Sequence, residues 1–125
     1  MDASKPVIEV TQQFTFDAAH YLGDAPADSN RRIHGHSFYA DVTLCGDADP
    51  ATGWVRDFAE IGAVLDEIRA CLDHRLLNDL AGLGAPTLEN LARYIFRAAK
   101  RRLPEVSRVK LERPSLGQSC TYEET

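Results

Sequence analysis

Two stretches of this chain alternate apolar and polar residues, a pattern that an extended strand can bury on one side only. The first stretch spans residues 7 to 20 and the second spans residues 33 to 45. Successive side chains of a strand point to opposite faces, so each stretch presents one apolar face and one polar face. The chain therefore has to build an antiparallel sheet with one covered face, and other segments must supply the cover.

Two later segments have the spacing of amphipathic helices. Asp57 can cap the first helix and Thr87 opens the second, which Pro104 stops. We expect Trp54, Phe58 and Phe96 to belong to the core. Apolar residues recur every three or four positions, at Phe58, Ile61, Leu65, Ile68 and Leu72, and then at Leu88, Leu91, Ile95, Ala99 and Leu103. Both helices can therefore cover a sheet.

The remaining segments complete the order of elements. Residues 21 to 30 are predicted to be a loop, and two short strands follow the helices at about 106 to 112 and 118 to 123. The order β-β-α-α-β-β predicts an α+β fold, with two helices on one face of a four-stranded antiparallel sheet. Such a sheet has two open edges, and pairing with copies of the same chain is one way to close them.

Length and composition narrow the class of protein. A chain of 125 residues is long enough for one domain, which we expect to span residues 1 to 125. The net charge of −5 argues against a nucleic-acid partner, and no apolar run is long enough to span a membrane. The first ten residues lack the pattern of a signal peptide. Three cysteines without a C-x-x-C pair fit reduced thiols, which predicts a cytoplasmic protein.

The histidines are the residues best suited to form a metal-binding site. His34 and His36 are two residues apart on the second strand, so they project from the same face about 6.5–7 Å apart at Cα. His20 falls on the apolar face of the first strand, at its end, and can complete a set of three. Three neutral ligands with an open fourth position are typical of a catalytic zinc site. Taken singly, a histidine at a strand end is more often a capping or surface residue, so the hypothesis depends on all three.

Five ordered motifs resemble one protein family over roughly residues 12 to 123. The motifs are FTFDAAH, RRIHGHSF, TGWVRDFAEI, LDHRLLND and PTLENLARYIF. They are similar to those of the 6-pyruvoyltetrahydropterin and 6-carboxytetrahydropterin synthases, whose bacterial members serve 7-deazaguanine (queuosine) biosynthesis. The resemblance implies the tunnelling fold, an oligomeric barrel in which trimers stack into homohexamers. It also implies a lyase with a pterin substrate such as 7,8-dihydroneopterin triphosphate.

The resemblance assigns roles to six residues. His20, His34 and His36 match the zinc ligands, and Asp73 with His74 matches a pair that transfers protons from a neighbouring subunit. Glu112 matches the glutamate that anchors the pterin ring. From the residues alone, an Asp-His pair commonly does no more than end a helix, and a glutamate on a late strand is commonly a solvated charge.

Asn30 departs from the family pattern C-x-x-x-H-G-H, in which the cysteine is the base that starts the reaction. A carboxamide cannot take a proton as a thiolate can. Three interpretations stay open: a synthase with a substitute base (Asp28, His74 or a zinc-bound hydroxide), a divergent pterin side-chain hydrolase or aldolase, and a non-catalytic pterin-binding protein. An engineered replacement of a cysteine is a further possibility for this position.

Overall fold

The computed structural model describes residues 7–124, and the first six residues, where the sequence predicts no signal peptide, lie outside this range. The first two strands are β1 (Ile8–His20) and β2 (His34–Gly46), each beginning one residue later than predicted. They pair antiparallel over their whole length, from Ile8 opposite Gly46 to His20 opposite His34. This register carries the apolar alternation of both strands onto the same face.

Two shorter strands complete the sheet, β3 (Val106–Arg113) and β4 (Gln118–Glu123). The strand order is β1-β2-β3-β4, and every pair is antiparallel. A short 3₁₀ turn at Pro114–Leu116 joins β3 to β4, and Gly117 adopts a left-handed φ of 65° after it. β4 lies where the sequence predicts it, and β3 extends one residue further than predicted.

Two long helices cover one face of the sheet. The first, α2 (Phe58–Leu72), begins after Asp57, whose side chain accepts a hydrogen bond from the backbone N–H of Ala59. The second, α3 (Leu88–Lys100), begins after Thr87, whose hydroxyl accepts from the N–H of Asn90. The α-helix ends before Leu103, yet that residue is fully buried. The predicted α+β fold, with the order β-β-α-α-β-β, is confirmed.

The core lies between the sheet and these two helices. It is one connected cluster, to which every strand except β4 contributes fully buried side chains. The largest buried side chains are Phe16, Phe38, Phe96, Leu44, Ile61, Leu65, Leu72, Leu77, Leu91, Ile95, Leu103 and Leu111. Within residues 7–124 no helix is both long and apolar enough to cross a membrane.

Two aromatic residues predicted to be in the core lie on the surface instead. Trp54 is 48% exposed and Phe58 is 52% exposed, whereas Phe96 is buried as predicted. Phe58 is the first residue of α2, and the buried stripe of that helix begins only at Ile61. The periodicity was right for the helix but included one residue that precedes the contact with the sheet.

The loop predicted at residues 21 to 30 contains a short helix, α1 (Asp28–Arg31), so that prediction was wrong for its last residues. The Asp28 carboxylate lies 3.3 Å from the guanidinium groups of both Arg31 and Arg32. Pairs at spacings of three and four residues support a helical turn, which loop composition alone does not reveal.

The outer edge of β1 is partly closed by the chain that follows α2. The N–H of His74 donates to the carbonyl of Asp17 at 2.6 Å, and the N–H of Ala19 donates to the carbonyl of Arg75 at 2.9 Å. Asn78 Oδ1 then accepts a 2.9 Å hydrogen bond from the N–H of Tyr21. This contact brings the segment after α2 to the same end of the sheet as the histidines.

Candidate metal centre

Three histidines meet where β1 ends and β2 begins. His20 lies opposite His34 in the strand register, and His36 lies opposite Ala18, so all three side chains share the helix-covered face. Their ring nitrogens lie within 4.8 Å of one another. The structure thus brings together the three residues that the sequence proposes as metal ligands.

The hydrogen bonds of two of these rings fix where their protons are. His20 Nδ1 lies 2.8 Å from the carbonyl oxygen of Pro86, and His34 Nδ1 lies 2.7 Å from that of Arg32. A carbonyl oxygen only accepts, so each Nδ1 donates, and in a neutral ring this leaves Nε2 with a lone pair. The two Nε2 atoms are 3.1 Å apart. Two lone pairs at this distance repel unless a cation lies between them, so the donor set fits a metal ion.

Electrostatics also favour the neutral, metal-binding form of the rings. Burial lowers the pKa of His20, and the nearby charges of His34 and Arg113 act in the same direction against the hydrogen bond to Pro86. Burial first, and then the charge of Arg113, lower the pKa of His36 to about 4. Both imidazoles are therefore neutral near pH 7, as a metal ligand must be.

Asp73 and His74 form a hydrogen-bonded pair just after α2. Asp73 Oδ2 accepts a 2.9 Å hydrogen bond from His74 Nδ1, and Asp73 Oδ1 accepts another at 2.9 Å from the N–H of Asp17. The bond from Asp17, and next the bond from His74, lower the pKa of Asp73. Adjacent residues inside a helix do not face each other, but His74 has left the helix with a left-handed φ of 60°. That backbone turn makes the pair possible.

A cavity of about 600 Å³ lies beside both groups. His36 lines it from β2, and His74 lines it from the segment after α2. The side chain of His74 is 79% exposed, while that of Asp73 is 16% exposed. A small molecule in this cavity can therefore contact a histidine of the cluster and the exposed imidazole of the pair in the same chain.

Glu112 lies on the other face of the sheet. It pairs in register with Tyr39 and Ser119, between the buried, helix-facing positions on β3. Lys110 Nζ is 3.7 Å from its carboxylate. The structure does not bring Glu112 together with the histidines of its own chain.

Asn30 lies in α1 and is exposed. Its backbone N–H donates to the carbonyl of Ala27, and its carbonyl accepts from Leu22. Its carboxamide makes no hydrogen bond within the described part of the chain. The three cysteines lie in β2, α2 and β4, as the sequence predicts, and none of them stands at this position.

Sequence reasoning missed Arg113, the last residue of β3. Its Nε–H is buried and has no hydrogen-bond partner among residues 7–124. Val109 and Leu111, at the alternate positions of the same strand, are fully buried beneath the helices. A charged residue that continues an apolar alternation was the signal that could have found it.

Comparison with known proteins agrees with the fold and the motifs. The family model described as 6-pyruvoyl tetrahydropterin synthase matches residues 9–125. A 6-carboxy-5,6,7,8-tetrahydropterin synthase from Synechocystis is 40% identical over 70% of both chains. A dihydroneopterin monophosphate aldolase from Pyrococcus furiosus is 36% identical over 86% of this chain and 87% of its own. The solved 6-pyruvoyl tetrahydropterin synthase of Caenorhabditis elegans superposes with a TM-score of 0.82 at 25% identity, covering 96% and 97% of the two chains.

The strand order and the helices on one face define a tunnelling-fold protein. With the family model matching nearly the whole chain, the protein belongs to the 6-pyruvoyl tetrahydropterin synthase family. Members of this family are lyases that act on pterins, so this chain is a pterin-metabolising enzyme.

Proposed function

We propose that the protein is a zinc-dependent lyase that cleaves the side chain of a phosphorylated 7,8-dihydroneopterin in an aldol-type reaction. One observation carries the proposal: His36 of the three-histidine cluster and His74 of the Asp73–His74 pair line the same cavity, while the family's cysteine position holds an exposed asparagine. The choice of reaction depends on which proton must be removed first.

An aldol-type cleavage begins with the removal of a proton from a side-chain hydroxyl oxygen. The family's synthase reaction begins instead with the cysteine acting as a base. In the cleavage, the proton leaves the hydroxyl on the second carbon of the side chain. His20, His34 and His36 would hold a zinc ion, which would supply Lewis-acid polarisation of the side-chain hydroxyls. The proton to be removed is on a hydroxyl, and an imidazole base can accept it, so this reaction does not call for a thiolate at position 30.

His74 is the group that we assign to the proton. Its Nδ1–H is held by Asp73, so its Nε2 is free to accept the hydroxyl proton in the cavity. The bond between the first and second side-chain carbons then breaks, and its electron pair passes into the ring imine of the dihydropterin. The second carbon becomes an aldehyde, and His74 returns the proton to the first carbon. The products are 6-hydroxymethyl-7,8-dihydropterin and a two-carbon aldehyde that keeps any phosphate.

The relative from Pyrococcus furiosus supports this reaction. It is named for an aldolase that acts on dihydroneopterin monophosphate, and it aligns over more of both chains than the Synechocystis synthase does. The cleavage also corresponds to the aldolase alternative that the sequence left open.

A 6-carboxytetrahydropterin synthase acting on 7,8-dihydroneopterin triphosphate is the second candidate, and the Synechocystis relative favours it by its higher identity of 40%. This reaction needs a substitute for the missing cysteine. Asp28, in α1 with Asn30, already pairs with Arg31 and Arg32. The synthase reaction is therefore the less favoured of the two.

Product analysis distinguishes the candidates. The zinc-loaded protein is incubated separately with 7,8-dihydroneopterin monophosphate and triphosphate, and the products are identified by mass. We expect 6-hydroxymethyl-7,8-dihydropterin, formed 10²–10⁴-fold more slowly by His74→Ala. 6-Carboxytetrahydropterin as the product would establish the second candidate instead. Unchanged pterin that stays bound would overturn both and indicate a binding protein.

We further propose that the chain assembles into the barrel of its family, a hexamer built as a dimer of trimers. No other strand of the described residues pairs with the outer edge of β4 or with the edge of β1 before Asp17. Exposed strand edges are templates for pairing with another chain. Glu112 lies away from the histidines of its own chain. In the assembled barrel it can instead bind a pterin held at the histidines of a neighbouring chain. Light scattering should give the mass of a hexamer or at least a trimer, and a monomer would contradict the proposal.

A further inference from the structure

Arg113 lies next to the candidate metal centre and on the same face of the sheet. Its position on β3 follows the buried residues Val109 and Leu111, so the side chain extends towards the helices. Glu112 lies opposite Tyr39 in the register of β2 with β3, so the next residue, Arg113, comes level with Phe38. The ring of Phe38 lies 5.9 Å from that of His36, which places Arg113 beside the cluster. The charge of Glu89, in the first turn of α3, also acts on Arg113.

One donor of the half-buried Arg113 side chain, its Nε–H, lacks a partner among the described residues. Burial lowers the pKa of Arg113, and the charge of Glu89 only partly offsets this effect. The two residues make no ion pair, and the Nε–H of Arg113 has no acceptor among the described residues. A buried donor on a charged group is costly to leave unsatisfied. An arginine at such a position can bind an anion that comes with a ligand.

We infer that Arg113 binds the phosphate of the substrate's side chain. This inference rests on the proposed function for the identity of the substrate, a pterin whose three-carbon side chain ends in phosphate. A guanidinium presents parallel N–H groups that match a phosphate in two-point contact. With the side-chain hydroxyls at the histidine cluster, the terminal phosphate lies a few bonds further on, within reach of a residue beside that cluster.

The stability of the ligand-free protein distinguishes a purely structural role of Arg113 from a role in anion binding. If the guanidinium held β3 to α3, its removal would destabilise the ligand-free protein. If Arg113 serves instead to bind an anion, replacing it with a methionine of similar length removes an unsatisfied buried donor. We therefore expect Arg113→Met to leave the thermal midpoint of the ligand-free protein unchanged or higher. A clear fall in the midpoint would assign Arg113 to the fold and contradict the inference.

Binding of two fluorescent, unreactive probes tests the role directly. Neopterin and neopterin monophosphate are titrated into the zinc-loaded wild-type protein and into Arg113→Met and Arg113→Lys. We expect Arg113→Met to weaken binding of the monophosphate roughly ten- to a hundredfold, with neopterin unaffected. Arg113→Lys should recover part of the lost affinity, because it keeps the positive charge but not the parallel N–H groups of the guanidinium. Arg97→Met, which removes the same charge from an exposed site on α3, is the matched control. Equal weakening of both probes by Arg113→Met would overturn the inference.

Inorganic pyrophosphate separates this inference from the proposed function. Its binding to the zinc-loaded protein, measured by calorimetry, does not depend on any pterin. Binding of pyrophosphate that is lost in Arg113→Met would support the anion site even if neither neopterin probe binds, and in that case only the proposed function fails. Absent pyrophosphate binding in the wild type, or equal binding in Arg113→Met, would show that Arg113 is not an anion-binding residue.

Discussion

His20 and His34 turn their Nε2 atoms towards each other at a distance of 3.1 Å. Both protons are held on the far side of the rings, by the carbonyl oxygens of Pro86 and Arg32. The backbone therefore prepares the rings as ligands, in the way that outer hydrogen bonds orient histidines at metal sites. The arrangement is repulsive for the rings alone and favourable with a cation, which makes metal binding the central claim of this account.

The role of position 30 can be tested by restoring the family's thiol. If the protein cleaves the side chain through His74, Asn30→Cys should leave the rate of 6-hydroxymethyl-7,8-dihydropterin formation unchanged. If it is instead a synthase that has lost its base, the same change should raise 6-carboxytetrahydropterin formation by about 10²–10⁴-fold. Asn30→Ser, which keeps a small polar group without a thiolate, is the control. A strong gain with cysteine only would contradict the proposed reaction.

Glu112→Gln tests pterin recognition apart from chemistry. A carboxylate can accept two parallel N–H hydrogen bonds from the pterin ring, whereas a carboxamide places a donor against one of them. We expect neopterin binding to weaken by roughly ten- to a hundredfold, from a mismatch of about 1–3 kcal/mol. Fluorescence titration measures it, with the exposed Glu123→Gln on β4 as the control. Equal affinity in Glu112→Gln and wild type would make Glu112 a surface charge only.

The ion pair between Arg56 and Glu105 is partly buried, and its pH dependence can be predicted. Arg56 donates from Nε and Nη2 to the two carboxylate oxygens of Glu105, at 2.9 and 2.6 Å. These hydrogen bonds lower the pKa of Glu105 below its ordinary 4.5. A lowered pKa in the folded state means that the stabilisation is complete above 4.5 and is lost as the pH falls through the folded value.

Glu105→Gln should therefore reduce the free energy of unfolding by about 1–3 kcal/mol at pH 7. The difference from wild type should shrink in acid, once the carboxylate is protonated in both states. Urea denaturation of the metal-free proteins measures this difference in the free energy of unfolding at pH 7 and at an acidic pH below the folded pKa of Glu105. Glu67→Gln, which removes an exposed partner of Arg102, should cost less than about 1 kcal/mol. A difference that is the same at both pH values would contradict the assignment.

The parts of this fold that sequence can predict are those that periodicity determines. The alternation in β1 and β2 predicted both the covered face and the convergence of His34 with His36, because parity fixes which side chains share a face. It also put His20 on the inward face, where the register then set it opposite His34.

The parts that escaped prediction depend on contacts between distant segments. The left-handed φ of His74, which allows its bond to Asp73, accompanies the hydrogen bond from its N–H to Asp17 on β1. No local sequence pattern around His74 predicts that hydrogen bond to Asp17. The alternation of β3 puts Arg113 on the covered face, but only the structure shows that its Nε–H is buried without a partner among the described residues.

The zinc content of purified protein tests the central claim most directly. Elemental analysis after zinc reconstitution and removal of free metal should give about one zinc per chain for the wild type. His34→Ala should hold essentially none, because two imidazoles rarely retain the ion alone. His74→Ala, which lies outside the cluster, should match the wild type. Full zinc occupancy in the triple variant His20→Ala, His34→Ala, His36→Ala, or no zinc in the wild type, would contradict the account.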